Sequence, residues 1–283
     1  MPSSDRAARP PAHGWARWRR AFDGFNDNHQ AIHAGHIAFV ALLSLFPFLI
    51  VLVAIAGSIG STDAAREFLD AAMEQMPDDV AAALGPVAND IVNAPRGGVL
   101  TLGLLGALWA TSTGFEALRY AFNQAYGIRQ QSQIWWRRLQ SIALVLMFAL
   151  AVLLTSFTLV VIPRTIQVAG AVLDQPGLAA FSPPWFGPLV GLAVMVLMTG
   201  ALFKILPRAK LAWRDVLPGA VLAVLGWVAA AQGFNLYLTH VASYSVTYGS
   251  LGGVVATLMF FYVAAAVLLF GCELNAAGHE QRT

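Results

Sequence analysis

Residues 251–271 read LGGVVATLMFFYVAAAVLLFG, a run with no charged side chain. A helix needs about 20 apolar residues to cross a hydrocarbon core of roughly 30 Å. In lipid the backbone finds hydrogen-bond partners only within a helix or a closed barrel. This run lacks the period-two alternation of a barrel strand. It therefore predicts a membrane-spanning helix, and its vocabulary recurs through the chain. Segments 37–59, 99–120, 142–162, 186–206 and 216–238 have comparable length and character. The second is the least apolar, because Glu116 and Arg119 follow its greasy part. The expected fold is an all-α integral membrane protein, a bundle of six transmembrane helices.

Composition agrees. Hydrophobic residues make up 58% of the 283 positions and charged residues 11%, against about 25% charged in soluble domains. The lone Cys272 excludes an intrachain disulfide and a cysteine metal cluster. It reads as a small packing residue.

Basic residues orient the spans, because lysine and arginine stay on the cytoplasmic side. Arg6, Arg9, Arg17, Arg19 and Arg20 precede the first span. Arg119, Arg129, Arg137 and Arg138 surround the second connection, and Lys204, Arg208, Lys210 and Arg214 the fourth. Arg282 lies in the tail, and only Arg66, Arg96 and Arg164 fall on the opposite side. Both termini are thus expected in the cytoplasm. Trp135, Trp136, Trp185 and Trp213 sit near span ends, where interface aromatics belong. Ala54-Ile55-Ala56 resembles a signal-peptide cleavage site, but the preceding polar region and the apolar stretch are both too long, so the first span is read as uncleaved.

The chain divides into a basic cytoplasmic or interfacial segment (1–36), a transmembrane domain (37–277) and a short cytoplasmic tail (278–283). Within the first segment Trp15, Trp18, Phe22 and Phe25 recur three or four residues apart, the pattern of an interfacial helix. An external insert, 61–98, carries amphipathic helical patterning. Ala65, Phe68, Leu69, Ala72, Met73 and Met76 form one face before Pro77, and Leu84, Val87, Ala88, Ile91 and Val92 a second, shorter one. Its acids outnumber Arg66 and Arg96, so it suits a cap on the outer surface, with a partner-binding role as the sharper alternative.

Ionisable groups inside spans are expensive, about 2.5–3.5 kcal/mol each at the helix centre on insertion scales, so they face a bundle interior or a wet cavity, or lie near an interface. Most of Glu116, Arg119, Tyr120, Asn123 and Tyr126 fall on one helical face. Glu116 with Arg119 suits either a structural ion pair or part of a polar site. Glu273 and Asn275 close the last span, with Lys204 and Arg208 as candidate partners on the same side. Gln232, Asn235 and Tyr237 lie in the outer half of the fifth span. The candidate intramembrane site is therefore Glu116, Arg119, Asn123, Tyr126, Gln232, Asn235, Tyr237, Glu273 and Asn275. Gly219, Ala223, Gly226, Ala230 and Gly233 form a small-residue stripe suited to close helix packing. Pro47 interrupts the first span, with Ser44 placed to satisfy the freed carbonyl region. His29, His33 and His36 have a spacing compatible with metal ligation, but no second ligand cluster accompanies them. Neither a phosphate-cradling glycine loop nor HExxH nor GxSxG occurs. The expectation is a non-enzyme without cofactor or bound metal.

Five segments carry a family resemblance. They are AGHIAFVALLSLFPFLIVLVAIAG (34–57), WATSTGFEALRYAFNQAYGI (109–128), ILPRAKLAWRDVLPGAVLAVLGW (205–227), FNLYLTHVASYSVTYGSLGG (234–253) and FGCELNAA (270–277). In order and spacing they resemble the YihY/BrkB family of bacterial inner-membrane proteins over about residues 20–277. One departure is at 36–40, where the family pattern implies an aromatic after the alanine. The resemblance implies six spans and little settled biochemistry. The family has carried ribonuclease BN and serum-resistance labels, and the first finds no support in these residues. The leading expectation is a transporter or flippase-like protein for a lipid or other envelope component, with membrane lipids as partners and no nucleic acid. With the N-terminus inside, spans one to three and four to six run oppositely, which is compatible with an inverted repeat. The alternative is a non-transporting scaffold that binds envelope proteins through 61–98.

Overall fold

The structure is a computed structural model that describes residues 14–59, 98–128, 134–156, 186–240 and 250–279. Among the described residues all regular structure is helical: α1 Trp15–Asp27, α2 Gln30–Ile59, α3 Gly98–Ala125, α4 Ile134–Ser156, α5 Phe186–Ile205, α6 Trp213–His240 and α7 Ser250–His279. The amphipathic insert expected at 61–98, apart from Gly98, and the tail residues 280–283 lie outside the described residues.

Four described stretches are long and apolar enough to cross a membrane: Trp135–Thr155, Gly187–Ile205, Trp213–Leu236 and Val254–His279. They correspond to the third to sixth expected spans. The first two expected spans fall in α2 and α3, of 30 and 28 residues. At 1.5 Å per residue these helices run about 45 and 42 Å. Pro47 lies inside α2, and the helix continues through it. Ser44, one turn earlier, is buried.

The chain forms two compact units. The first comprises Met1–Leu42, Ala117–Gln131 and Thr199–Thr283, and the second Leu43–Glu116 and Ser132–Met198. The second is organised by an apolar cluster of Val51, Leu52, Ala107, Val145 and Ala149, with Phe48, Phe115 and Leu153 packed around it. Phe148 completes it, with ring centroids 5.8 Å from Phe48 and 6.5 Å from Phe115. At the start of α4, Arg138 stacks over the Trp109 ring at 4.0 Å and donates from Nη2 to the Trp109 carbonyl.

The first unit is built on a very close α6–α7 contact. A Cβ on Gly219 would collide with the Gly271 carbonyl, and one on Gly271 would lie 2.6 Å from the Gly219 carbonyl. One helical repeat further, a Cβ on Gly226 would collide with Val267. Gly219 and Gly226 of the predicted small-residue stripe thus do close packing, whereas a Cβ on Gly233 would meet nothing within 4 Å. Without a hydrophobic driving force in lipid, such backbone proximity is what holds helices together. Trp227 adds an indole N–H bond to the Ala264 carbonyl at 2.7 Å.

Candidate functional site

Several buried polar side chains of the first unit gather near the C-terminal end of α7. Two short local structures put them there. The first is the break between α1 and α2. Asn28 closes α1, its N–H donating to the Gly24 carbonyl at 2.9 Å, and His29 takes a left-handed conformation with φ 51. Histidine is among the residues that tolerate this region. The sharp turn leaves the Asn28 side chain free to point inward. The second is the end of α3. Gly127, at φ 66, donates to the Gln124 carbonyl, and Ile128 donates to Asn123 at 2.8 Å. These two bonds form a Schellman motif, which glycine permits because it lacks a Cβ. It fixes Asn123 and Tyr126 at the helix terminus.

Glu273 is the hub. It is 3% exposed, and its Oε1 accepts from Asn28 Nδ2 at 2.7 Å and from Gln30 Nε2 at 2.7 Å. Gln30 also donates to the Ala121 carbonyl of α3 at 3.3 Å. A buried carboxylate is tolerated only when donors replace water, and two amides supply that here. Helix α1 approaches so closely that a Cβ on Gly24 would lie 2.6 Å from Glu273 Oε2. Neither Asn28 nor Gln30 belongs to the predicted site. In sequence they look like a solvated polar connection, and only the turn at His29 turns them inward.

Asn275 has a different task. Its Oδ1 accepts from the Gly219 N–H at 2.8 Å and its Nδ2 donates to the Val216 carbonyl at 3.0 Å. Pro218 lies between these two residues inside α6 and lacks an N–H. Asn275 thus clasps the backbone where the proline disturbs it.

The other predicted residues distribute as follows. Asn123 is buried, and its Oδ1 accepts from the Arg208 backbone N–H at 3.1 Å. Arg119 is buried in the same unit at 2% exposure. Tyr126 packs edge-on against His279, with ring centroids 6.0 Å apart. Burial, and then the negative charges of groups including Asp215 and Glu273, push the Tyr126 phenol far above its usual range. Glu116 belongs to the other unit, where its Oε1 accepts from Ser141 Oγ at 2.6 Å. Gln232 and Asn235 are exposed on α6, with Gln232 about 20 Å along the helix axis from Gly219, so they do not join the Glu273 set. The Tyr237 side chain lies outside the described residues. Lys204 sits over the Trp213 ring at 4.9 Å.

Among the described residues of this unit, the buried atoms Gln30 Oε1, Asn123 Nδ2, Tyr126 OH and His279 Nδ1 have no hydrogen-bond partner. Buried polar groups are nearly always paired, so such atoms mark places built for water or a ligand. Among the described residues no three His, Cys, Asp or Glu side chains gather in a metal-binding group. His29 sits in the turn rather than on a helix face with His33, whose Nε2 pairs with Gln124 Oε1 at 2.8 Å.

The residues gathered here come from the segments 109–128, 205–227 and 270–277 and from the α1–α2 connection. The Virulence factor BrkB family matches residues 21–283. The chain belongs to the BrkB family. Over 253 residues it is 31% identical to YfkH of Bacillus subtilis (strain 168), a protein named only as ribonuclease-like, covering 88% of this chain and 90% of that one. It is 24% identical over 267 residues to the UPF0761 membrane protein PSHAa0171 of Pseudoalteromonas translucida, covering 93% and 85%. A UPF0761 membrane protein of Tolumonas auensis is 26% identical over 264 residues, covering 92% and 82%. No solved structure matches the chain. This BrkB-family chain is thus a membrane protein, and its polar hub lies on the helices that carry the family's resemblance.

Proposed function

We propose that this BrkB-family protein moves a polar or amphipathic envelope component, such as a lipid, across the bacterial inner membrane. Six spans place both termini in the cytoplasm, α2 and α3 supplying the first two. The reading rests on the buried polar set around Glu273. Intramembrane ionisable groups are expensive and tend to mark substrate or ion pathways. This set joins residues far apart in sequence, and it presents Gln30 Oε1, Asn123 Nδ2 and Tyr126 OH without hydrogen-bond partners among the described residues. Those atoms offer an acceptor, a donor and a hydroxyl to a polar group passing through. The proposed role is not enzymatic.

The test is reconstitution of the purified chain in vesicles of envelope phospholipids. Scrambling of labelled lipid and uptake of small solutes are followed against empty vesicles. Wild type should exceed empty vesicles, and Glu273→Gln should fall at least tenfold while retaining its folded elution profile. Absence of activity across the main envelope lipids and solutes would overturn the reading. Loss of function on deleting 61–98, with Glu273→Gln harmless in cells, would favour the scaffold instead.

A further inference from the structure

Helix α1 divides into three sectors. The first faces α7. Ala21 is fully buried, Gly24 abuts Glu273, and Phe25 lies 6.1 Å from the Phe270 ring. Arg17 Nε donates to the Leu274 carbonyl at 3.1 Å, and its guanidinium fills the space left by Gly278. The second sector is polar and exposed, with Asp23 and Asp27. The third holds Trp15, Trp18 and Phe22, spaced i, i+3 and i+7. They are 84%, 44% and 59% exposed, although Trp18 also reaches Phe270 at 6.0 Å. Arg19 flanks this aromatic stripe and is exposed as well.

A soluble helix does not leave two tryptophans and a phenylalanine in water along one stripe. We propose that this stripe is a docking surface for the headgroup layer of an anionic phospholipid leaflet. Three observations on the molecule select that occupant. Helix α1 packs on the last turns of a stretch, Val254–His279, that is apolar enough to cross the bilayer, so its depth is that of the span's end. The Asn275 clasp sets the start of α6 at the same level. There Trp213, itself 43% exposed, carries Lys204 over its ring. Tryptophans beside cationic side chains are the composition of a membrane interface. Finally, the exposed Arg19 puts basic charge beside the open apolar edge, which complements phosphate rather than a neutral protein groove. The inference stands apart from the transport reading, because docking needs no movement of cargo.

The experiment uses the full chain with Phe22→Cys labelled by an environment-sensitive nitrobenzoxadiazole. Cys272 is fully buried and leaves the new thiol as the accessible one. The protein is reconstituted in vesicles of phosphatidylcholine alone or enriched in phosphatidylglycerol. Docking predicts blue-shifted emission, quenching by lipids carrying a shallow nitroxide, and quenching about twofold or more stronger in the phosphatidylglycerol vesicles. Arg19→Glu should remove that preference and leave the quenching in phosphatidylcholine. A label at Asp27→Cys should stay in water. Phe22 lies off the α7-facing sector, so the substitution spares the Glu273 and Phe270 contacts. Quenching of the residue 22 label by aqueous iodide but not by lipid would overturn the proposal. So would shielding from both quenchers that grows with protein density, since a second copy would then cover the stripe. An unchanged phosphatidylglycerol preference in Arg19→Glu would overturn its anionic part.

Discussion

In the unit formed by residues 43–116 and 132–198, polar side chains mostly serve their own helix. Ser112 Oγ donates to the Trp109 carbonyl at 2.7 Å, Thr113 to Ala110, and Thr155 to Ala151 at 2.7 Å. The bond from Ser141 to the half-buried Glu116 is an exception. In the other unit the buried polar groups include amides, an arginine and a carboxylate, and their bonds join residues from 56 to 245 positions apart. The contrast shows two solutions to one solvent. A hydroxyl can return its hydrogen bond to the preceding turn and present apolar surface to lipid. A carboxylate cannot, because it needs several donors, so Glu273 draws α1, the α1–α2 turn and α7 together. The first solution makes interchangeable packing, and the second makes a specific structure.

If this contrast is right, the largest effect should come from the backbone contact on which the polar unit is built. Gly219→Val would drive side-chain atoms into the Gly271 carbonyl and displace the Asn275 clasp. The expected cost is roughly 3 kcal/mol or more, the upper end for overpacking. The same change at Gly103 in the other unit, where a Cβ would meet nothing, should cost less than about 1 kcal/mol. Unfolding from mixed micelles by increasing sodium dodecyl sulfate measures both. Equal losses would show that the α6–α7 approach is not what holds the polar unit.

Much of this architecture is legible in the sequence, because spans depend on length and apolarity alone. The helices over 186–205 and 213–240 follow the expected spans within a few residues, whereas the one over 134–156 begins eight residues before the expected 142. Helix α7 runs on to His279, past the predicted end at 271. Side-chain donors there let a carboxylate and an amide stay helical. The hub was only half legible. Glu273, Asn275, Arg119 and Asn123 stand out as polar residues in apolar helices. Asn28 and Gln30 do not, because a polar connection and an inward-pointing amide pair have the same composition. What distinguishes them is the left-handed His29, a backbone conformation with no sequence signature of its own. Gln232 and Asn235 illustrate the converse. They have the right residue type within a span but face outward, since a period of 3.6 gives relative faces and not which face is inside.

A smaller effect sharpens the comparison between the two carboxylates. Gln30→Leu removes one donor from Glu273 and one from Ala121, and leaves a buried carboxylate short of partners. The expected loss is about 2 kcal/mol, as for a hydrogen bond to a buried charged group. Ser141→Ala removes the Glu116 bond in a half-buried setting and should cost about 1 kcal/mol. In a double-mutant cycle, Glu273→Gln should recover a good part of the Gln30→Leu loss, because a neutral amide needs fewer donors. Strictly additive losses would mean that Glu273 is not held by Gln30 in the folded protein.

The smallest effect separates a built site from mere packing. The Tyr126 hydroxyl is buried without a hydrogen-bond partner among the described residues, so Tyr126→Phe gives up no hydrogen bond to them. It should leave stability unchanged or raise it by up to about 1 kcal/mol, the relief of an unsatisfied polar group. Its pH dependence has a definite sign. The folded phenol titrates far above its usual range, so it stays neutral where an unfolded tyrosine, at about 10, ionises. The native state then holds the extra proton, and wild-type stability should fall above about pH 10 by up to roughly 1.4 kcal/mol per pH unit. Below that pH the contribution is fully present. Tyr126→Phe should flatten this fall relative to wild type, while the other tyrosines titrate in both proteins and cancel. Under the transport reading the same variant should slow cargo movement, since the hydroxyl is one of the groups offered to it. Stability held or raised with activity lowered is the signature of a group kept for a ligand. A loss of stability above about 1 kcal/mol would instead show that the hydroxyl is tied into the fold.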